Sequence, residues 1–153
     1  MTLVLSFLIG VLAGLRSLTP AAVTAWAAHL GWLKLPHTLS WIGTPPAVGI
    51  FSVLALAELV TDKLPRTPRR TSPPGLIARI LMGGLTGACV AASGAQMGAL
   101  GVVLGVVGSI VGCFGGYQAR TRLVKALGTP DFVVAMLEDL LVIGGSLFVV
   151  SRF

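Results

Sequence analysis

Acidic residues are scarce in this chain: five Asp and Glu stand against eleven Lys and Arg in 153 residues. Charged residues of either sign make up 10% of it, where a soluble domain carries about 25%. With 55% hydrophobic residues, a soluble fold of this length has nowhere to bury so much apolar surface. That excludes a soluble protein and predicts an integral membrane protein of a single domain, residues 1–153. Cysteine is nearly missing too. Cys89 and Cys113 lie in apolar stretches, without neighbours at metal-ligand spacing, and read as small core residues; a bridge between them is left open. The only histidines, His29 and His37, stand alone and are expected at the outer surface. There is no Ser-His-Asp set, no HExxH, no phosphate loop and no dinucleotide fingerprint. No catalytic residue, metal or cofactor is therefore expected, and the chain does not read as an enzyme. The net charge of +6 does not point to nucleic acid, because the basic residues gather at the ends of apolar segments. There they set topology and meet lipid headgroups.

Five apolar segments are present. The first, about 2–33, is too long for one plain span of about 20 residues. It is broken at Gly14-Leu-Arg16-Ser17-Leu-Thr19-Pro20, where Pro20 suits the first position of a new helix and Ser17 or Thr19 its cap. A connector follows over 34–45, with Trp32 and Trp41 suited to a headgroup belt. The other segments run over about 46–62, 76–92, 99–116 (continuing as a basic stretch to 127) and 132–150. The expected fold is an all-α polytopic transmembrane helix bundle. Ala25-Trp26-Ala27 has the look of a cleavage site, but no basic region precedes it and Arg16 interrupts the apolar run, so no signal peptide is expected. Lys63, Arg66, Arg69, Arg70, Arg79, Arg120, Arg122 and Lys125 fall on one side of a five-span layout, and Lys34 and Arg152 on the other. The positive-inside rule then gives an inner-membrane protein with its N-terminus cytoplasmic and its C-terminus outside.

Arg16 is the residue that asks most of the fold, since a charge inside a membrane helix is costly without a partner or a pathway. Glu58 and Asp62 sit one turn apart on one helix face, and Glu138 and Asp139 lie about 10 Å into the fifth segment. These carboxylates either neutralise Arg16 or line an aqueous path. Glu138 and Asp139 are adjacent, so they point in different directions. A helix start at Thr19-Pro20, with Arg16 and Ser17 beside it, suits an anion such as a carboxylate or phosphate; alternatively Ser17 or Thr19 caps it. The loop Lys63–Pro74, with Arg66, Arg69 and Arg70, reads as a topology signal or as a contact for anionic lipid or a partner.

Glycine is abundant. Gly10xxxGly14, Gly83xxxGly87, Gly94xxxGly98, Gly101xxxGly105 and Gly108xxxGly112xxxGly116 all have small-xxx-small spacing. Such spacing packs helices within a bundle or joins copies of the chain, and a homo-oligomer is expected. Two units, 2–65 and 99–153, share an outline of a glycine-rich helix broken late and then Gly-Thr-Pro before an apolar helix. Joined by a central helix over 76–92, they suggest an inverted-topology repeat.

Gly14-Leu-Arg16-Ser-Leu-Thr-Pro20, Glu58-Leu-Val-Thr-Asp62-Lys63-Leu-Pro65 and Arg70-Thr-Ser-Pro-Pro-Gly75 together resemble the bacterial membrane family catalogued as domain of unknown function 4126. The resemblance runs from the first helix to the fifth. It implies a small inner-membrane protein and supplies neither substrate nor catalytic residue. The residues themselves lead to a transporter or channel for a small solute or ion. Arg16, Ser17, Thr19, Glu58, Asp62, Glu138 and Asp139 would line its path. The competing reading is a structural, assembly or lipid-interacting protein whose buried charges only fix helix packing.

Overall fold

The computed structural model describes residues 1–62, 72–128 and 130–153. Among these residues six α-helices follow one another: α1 (Thr2–Leu15), α2 (Leu18–His29), α3 (Pro45–Thr61), α4 (Pro73–Ser93), α5 (Gly98–Leu127) and α6 (Asp131–Val150). A 3-10 turn, Ser40–Gly43, precedes α3, and no strand occurs among the described residues.

The break in the first segment falls where covalent geometry puts it. Pro20 has no amide to give to the carbonyl of Arg16, and its ring crowds that carbonyl in an unbroken helix. The backbone at Arg16 accordingly turns extended, with φ −141° and ψ 120°. α2 restarts at Leu18, so Pro20 is its third residue and not its first. There its missing N–H costs nothing, because the first four amides of a helix have no partner within it.

The break is a reversal. The start of α1 meets the end of α4, where a Cβ on Gly94 would touch Thr2. The end of α1 meets the beginning of α4, where Arg79 reaches the Gly14 carbonyl. The chain then returns: the Lys34 amide donates to Ser93 Oγ at 3.0 Å, back at the end where α1 began. α3 runs antiparallel to α2, from the His29–Gly43 contact to Glu58 beside Ser17. α6 finishes at the starting end, with Val149 clustered with Leu5 and Ile9, and Val150 with Ala27 and Leu33.

Two expectations are corrected by this path. Among the described residues three helices, not five, are long and apolar enough to cross a membrane: α4, α5 and α6. α1 and α2, with 14 and 12 residues, are only about 21 and 18 Å long, and together they make a hairpin. α3 stops at 17 residues, before Asp62. α3 nevertheless runs from the His29–Gly43 end to the Arg16 end, so α3, α4, α5 and α6 pass through the bundle four times while α1 and α2 cancel, and both termini lie at one end. The arrangement with the N-terminus inside and the C-terminus outside is not supported. The outlined repeat also parts company here. α5 runs unbroken for 30 residues through Gly112, Gly115 and Gly116, where the first unit breaks.

α1, α4 and α5 form a tight inner layer on which α2 and α6 pack, and α3 packs in turn on α2. Its spacing is set by glycine. A Cβ on Gly10, Gly14, Gly83, Gly87, Gly101, Gly105, Gly108 or Gly112 would come closer than 3.0 Å to backbone of a facing helix. The small-xxx-small pattern is therefore used inside one chain, and the homo-oligomer expected from it gains no support. Apolar side chains on the outer faces, such as Val53, Leu56 and Val60 of α3 and Leu137, Leu140 and Leu141 of α6, are exposed, as lipid-facing positions are. Trp32 and Trp41, the belt candidates, are half exposed at the end away from Arg16.

Candidate functional site

Every carboxylate singled out in the sequence except Glu138 converges on the α1–α2 break. Arg16 is wholly buried there. Its guanidinium lies between two acids: Nη1 is 3.2 Å from Asp62 Oδ2, at the end of α3, and Nη2 contacts Asp139 Oδ1 of α6. Asp62 and Asp139 keep small exposed fractions, 13% and 12% of their side chains. A buried charge paired on two sides in this way is stable only while both partners hold.

Glu58, one turn before Asp62, does a different job. Its Oε1 accepts from the Ser17 amide (2.8 Å) and from Ser17 Oγ (2.6 Å), and its Oε2 accepts from the Leu18 amide (2.9 Å). The carboxylate thus occupies the positive end of α2, which the sequence suggested for an anionic guest. Neither Ser17 nor Thr19 caps the helix with its own side chain. Charge-assisted bonds to two free amides are about twice as strong as neutral ones. Glu58→Gln, which leaves one oxygen for three donors, is expected to cost about 1–2 kcal/mol. Thermal unfolding in detergent measures it, and an unchanged melting temperature would show that the cap carries no load.

The other side of the break is held by a residue that the sequence reading placed only among the topology charges. Arg79 is buried on α4, and its Nε donates to the Gly14 carbonyl at 3.0 Å, at the end of α1. Its signal was available: apart from Arg16 it is the one basic residue within an apolar segment, the fourth residue of 76–92. A negative helix end thus meets a guanidinium and a positive one meets a carboxylate. Counting formal charge, Arg16 and Arg79 oppose Glu58, Asp62 and Asp139.

Glu138 points away, as adjacency to Asp139 requires. It lies 3.5 Å from Arg120 of α5, which also holds Asp131 with two short bonds. Together with Leu15, Gly116 and Leu141 it lines a cleft of about 230 Å³ between α5 and α6. Lys63, Arg66, Arg69 and Arg70, the candidate lipid or partner contacts, lie outside the described residues. Thr19 is buried one turn past Arg16.

A family model described as Domain of unknown function (DUF4126) matches residues 3–151. The chain belongs to that family. The match takes in all six helices, the break and every acid of the cluster. No curated protein and no solved structure matches the chain. The family description assigns no activity, so function has to be argued from the site.

Proposed function

We propose that this DUF4126 chain is a membrane transporter or channel for a small ion, with Arg16, Asp62 and Asp139 as the site the ion must pass. One observation carries the reading: a fully buried arginine shared by two carboxylates that are themselves almost wholly buried, at a helix break within an apolar bundle. Ionisable groups inside membrane-spanning bundles are rare and costly, and a substrate or ion path is the first function to ask of them. Broken helices with their ends facing a charge are a recurrent way to build such a site. Glu58 already fills the positive end of α2, so a carboxylate or phosphate guest is not placed there. Orientation follows from charge. The α5–α6 end holds Arg120, Arg122 and Lys125, and the segment from Asp62 to Ser72 starts and finishes at that end and carries four basic residues. By the positive-inside rule this end faces the cytoplasm and both termini face out.

A second reading has its own support. Glu58 and Arg79 satisfy both helix ends at the break, which is what a purely structural lock needs. The two differ in access to the site. Ser17 is 5% exposed in this closed arrangement. A transporter has to open toward Arg16, so Ser17→Cys in membranes is expected to react with a water-soluble thiol reagent in full, though slowly. Cys89 and Cys113 are replaced by serine for this measurement. A thiol that stays unreacted until detergent unfolds the protein would favour the lock.

A further inference from the structure

The seam between α2 and α6 holds polar atoms that the Arg16 cluster leaves unused. Arg16 meets Asp139, and Ala27 shares a core cluster with Val150. Ala27 follows Arg16 by eleven positions, and Val150 follows Asp139 by eleven. The two helices therefore run in the same direction and in step, with Thr19 level with Val142 and Val23 level with Ser146. The buried face of α6 reads Ala135, Asp139, Val142, Ser146, Val149. Its polar members are Asp139 and Ser146.

Most buried hydroxyls of this bundle are absorbed locally. Ser6, Thr24, Thr86 and Ser109 each donate to a carbonyl three or four residues back. Ser146 Oγ and Thr19 Oγ1 are fully buried and have no hydrogen-bond partner, and Arg16 Nε is in the same condition. Thr19 stands in the first turn of α2, with no helical carbonyl behind it. Ser146 has the Val142 carbonyl within its helix and does not take it. Buried polar atoms left unsatisfied are costly, and each calls for a reason.

We propose that the α2–α6 seam is a proton path, in which protons move between Asp139 and the outer end of the bundle by way of Thr19 and Ser146. The proposal rests on the transport reading and names its substrate. Asp139 and Ser146 are seven residues apart, about 10 Å along the helix, with Thr19 at an intermediate level. Successive levels are thus about 5 Å apart along the axis, a step that a bridging water can span. A metal cation requires several oxygens converging on one point, and these hydroxyls stand at different levels. It is also repelled at Asp139 by Arg16. A proton takes one oxygen at a time. On entry it adds to an Asp139 oxygen, leaving the guanidinium paired with Asp62. On exit the O–H bond breaks, the proton passes to the bridging water beside it, the carboxylate is restored, and one positive charge has moved between Asp139 and the outer end. The other charges around Asp139 are Glu58 on α3, Arg79 on α4, Glu138 on α6 and Arg120 on α5.

The test uses the purified full chain in liposomes that enclose a pH dye, with a potassium gradient and valinomycin setting the potential. Wild type is expected to carry protons. Ser146→Ala and Thr19→Val are expected to lower the initial rate tenfold or more, and Thr19→Ser to keep it. Ser146→Ala should melt at or above wild type, because it removes an unpartnered buried hydroxyl; lost flux without lost stability is the signature of the path. Wild-type proton flux that Ser146→Ala and Thr19→Val leave unchanged would overturn the seam. Flux that follows sodium or potassium and ignores pH would overturn the proton while leaving transport standing. Wild-type vesicles as tight as empty ones to every ion would remove both readings.

Discussion

Gly105→Ala is expected to unfold this bundle more readily than any other single methyl added to it. A Cβ at Gly105 would be driven into the Gly83 carbonyl and the backbone of Gly87, both on α4. These are main-chain atoms, so no side chain can rotate aside, and α4 and α5 must separate. Separation also loosens α1, since Gly10 packs against the same Gly105 backbone. In a membrane the helices are held by close van der Waals packing, with no hydrophobic force to compensate for a gap. Overpacking of a tight core costs about 1–3 kcal/mol, and the involvement of three helices puts this substitution at ~3 kcal/mol or more. For a chain of this length that is a fall of about 10 °C in Tm, read by circular dichroism in detergent. Gly115→Ala on the same helix is the control. Nothing lies within 4 Å of its Cβ position, and alanine is the better helix former by about 1 kcal/mol. It should melt at or above wild type. Equal melting of both variants would mean that α4 and α5 are not in backbone contact.

The glycine spacing was visible in the sequence, but not which helices it joins. Small-xxx-small spacing marks a close-approach face and leaves open whether the partner is another helix of the chain or another copy. The break was legible for a firmer reason: Pro20 denies Arg16 its helical hydrogen bond wherever the helix lies. What the sequence could not carry was the direction taken afterwards. A kink, an unwound stretch and a reversal all follow from the same Gly14–Pro20 residues. The choice is made by tertiary partners, Glu58 beyond the turn and Arg79 on α4, which hold the two helix ends apart. Reversal removes a crossing, and with it the expected opposition of the termini. The convergence of the charges was easier to read. Charges in an apolar chain are few enough that their pairing is nearly forced, and Glu58 and Asp62 do face the break from one side of α3. The assignment of roles was not legible, because an anion at a helix start and a carboxylate from the chain itself satisfy the same amides.

Arg16→Gln is expected to have the largest effect on both stability and activity. It leaves Asp62 and Asp139 facing each other across the break without the guanidinium between them. Removing one partner of a buried ion pair costs about 3–5 kcal/mol, because the charge left behind stays desolvated. A loss of flux in this variant alone would therefore be ambiguous, as an unfolded transporter carries nothing. The variant that separates the readings neutralises the whole cluster: Arg16→Gln with Asp62→Asn and Asp139→Asn. No uncompensated charge remains, which removes the largest part of the penalty, and the three near-isosteric amides can hydrogen-bond one another in place of the ion pairs. Melting is expected to return to near the wild-type temperature while ion flux in liposomes stays at the level of empty vesicles. That combination makes the charges necessary for the passage of an ion and dispensable for the fold. A triple variant that conducts like wild type would sink the transport site at Arg16. The cluster would then be a register lock, and its three charges would be exchangeable for any neutral set that fills the same space.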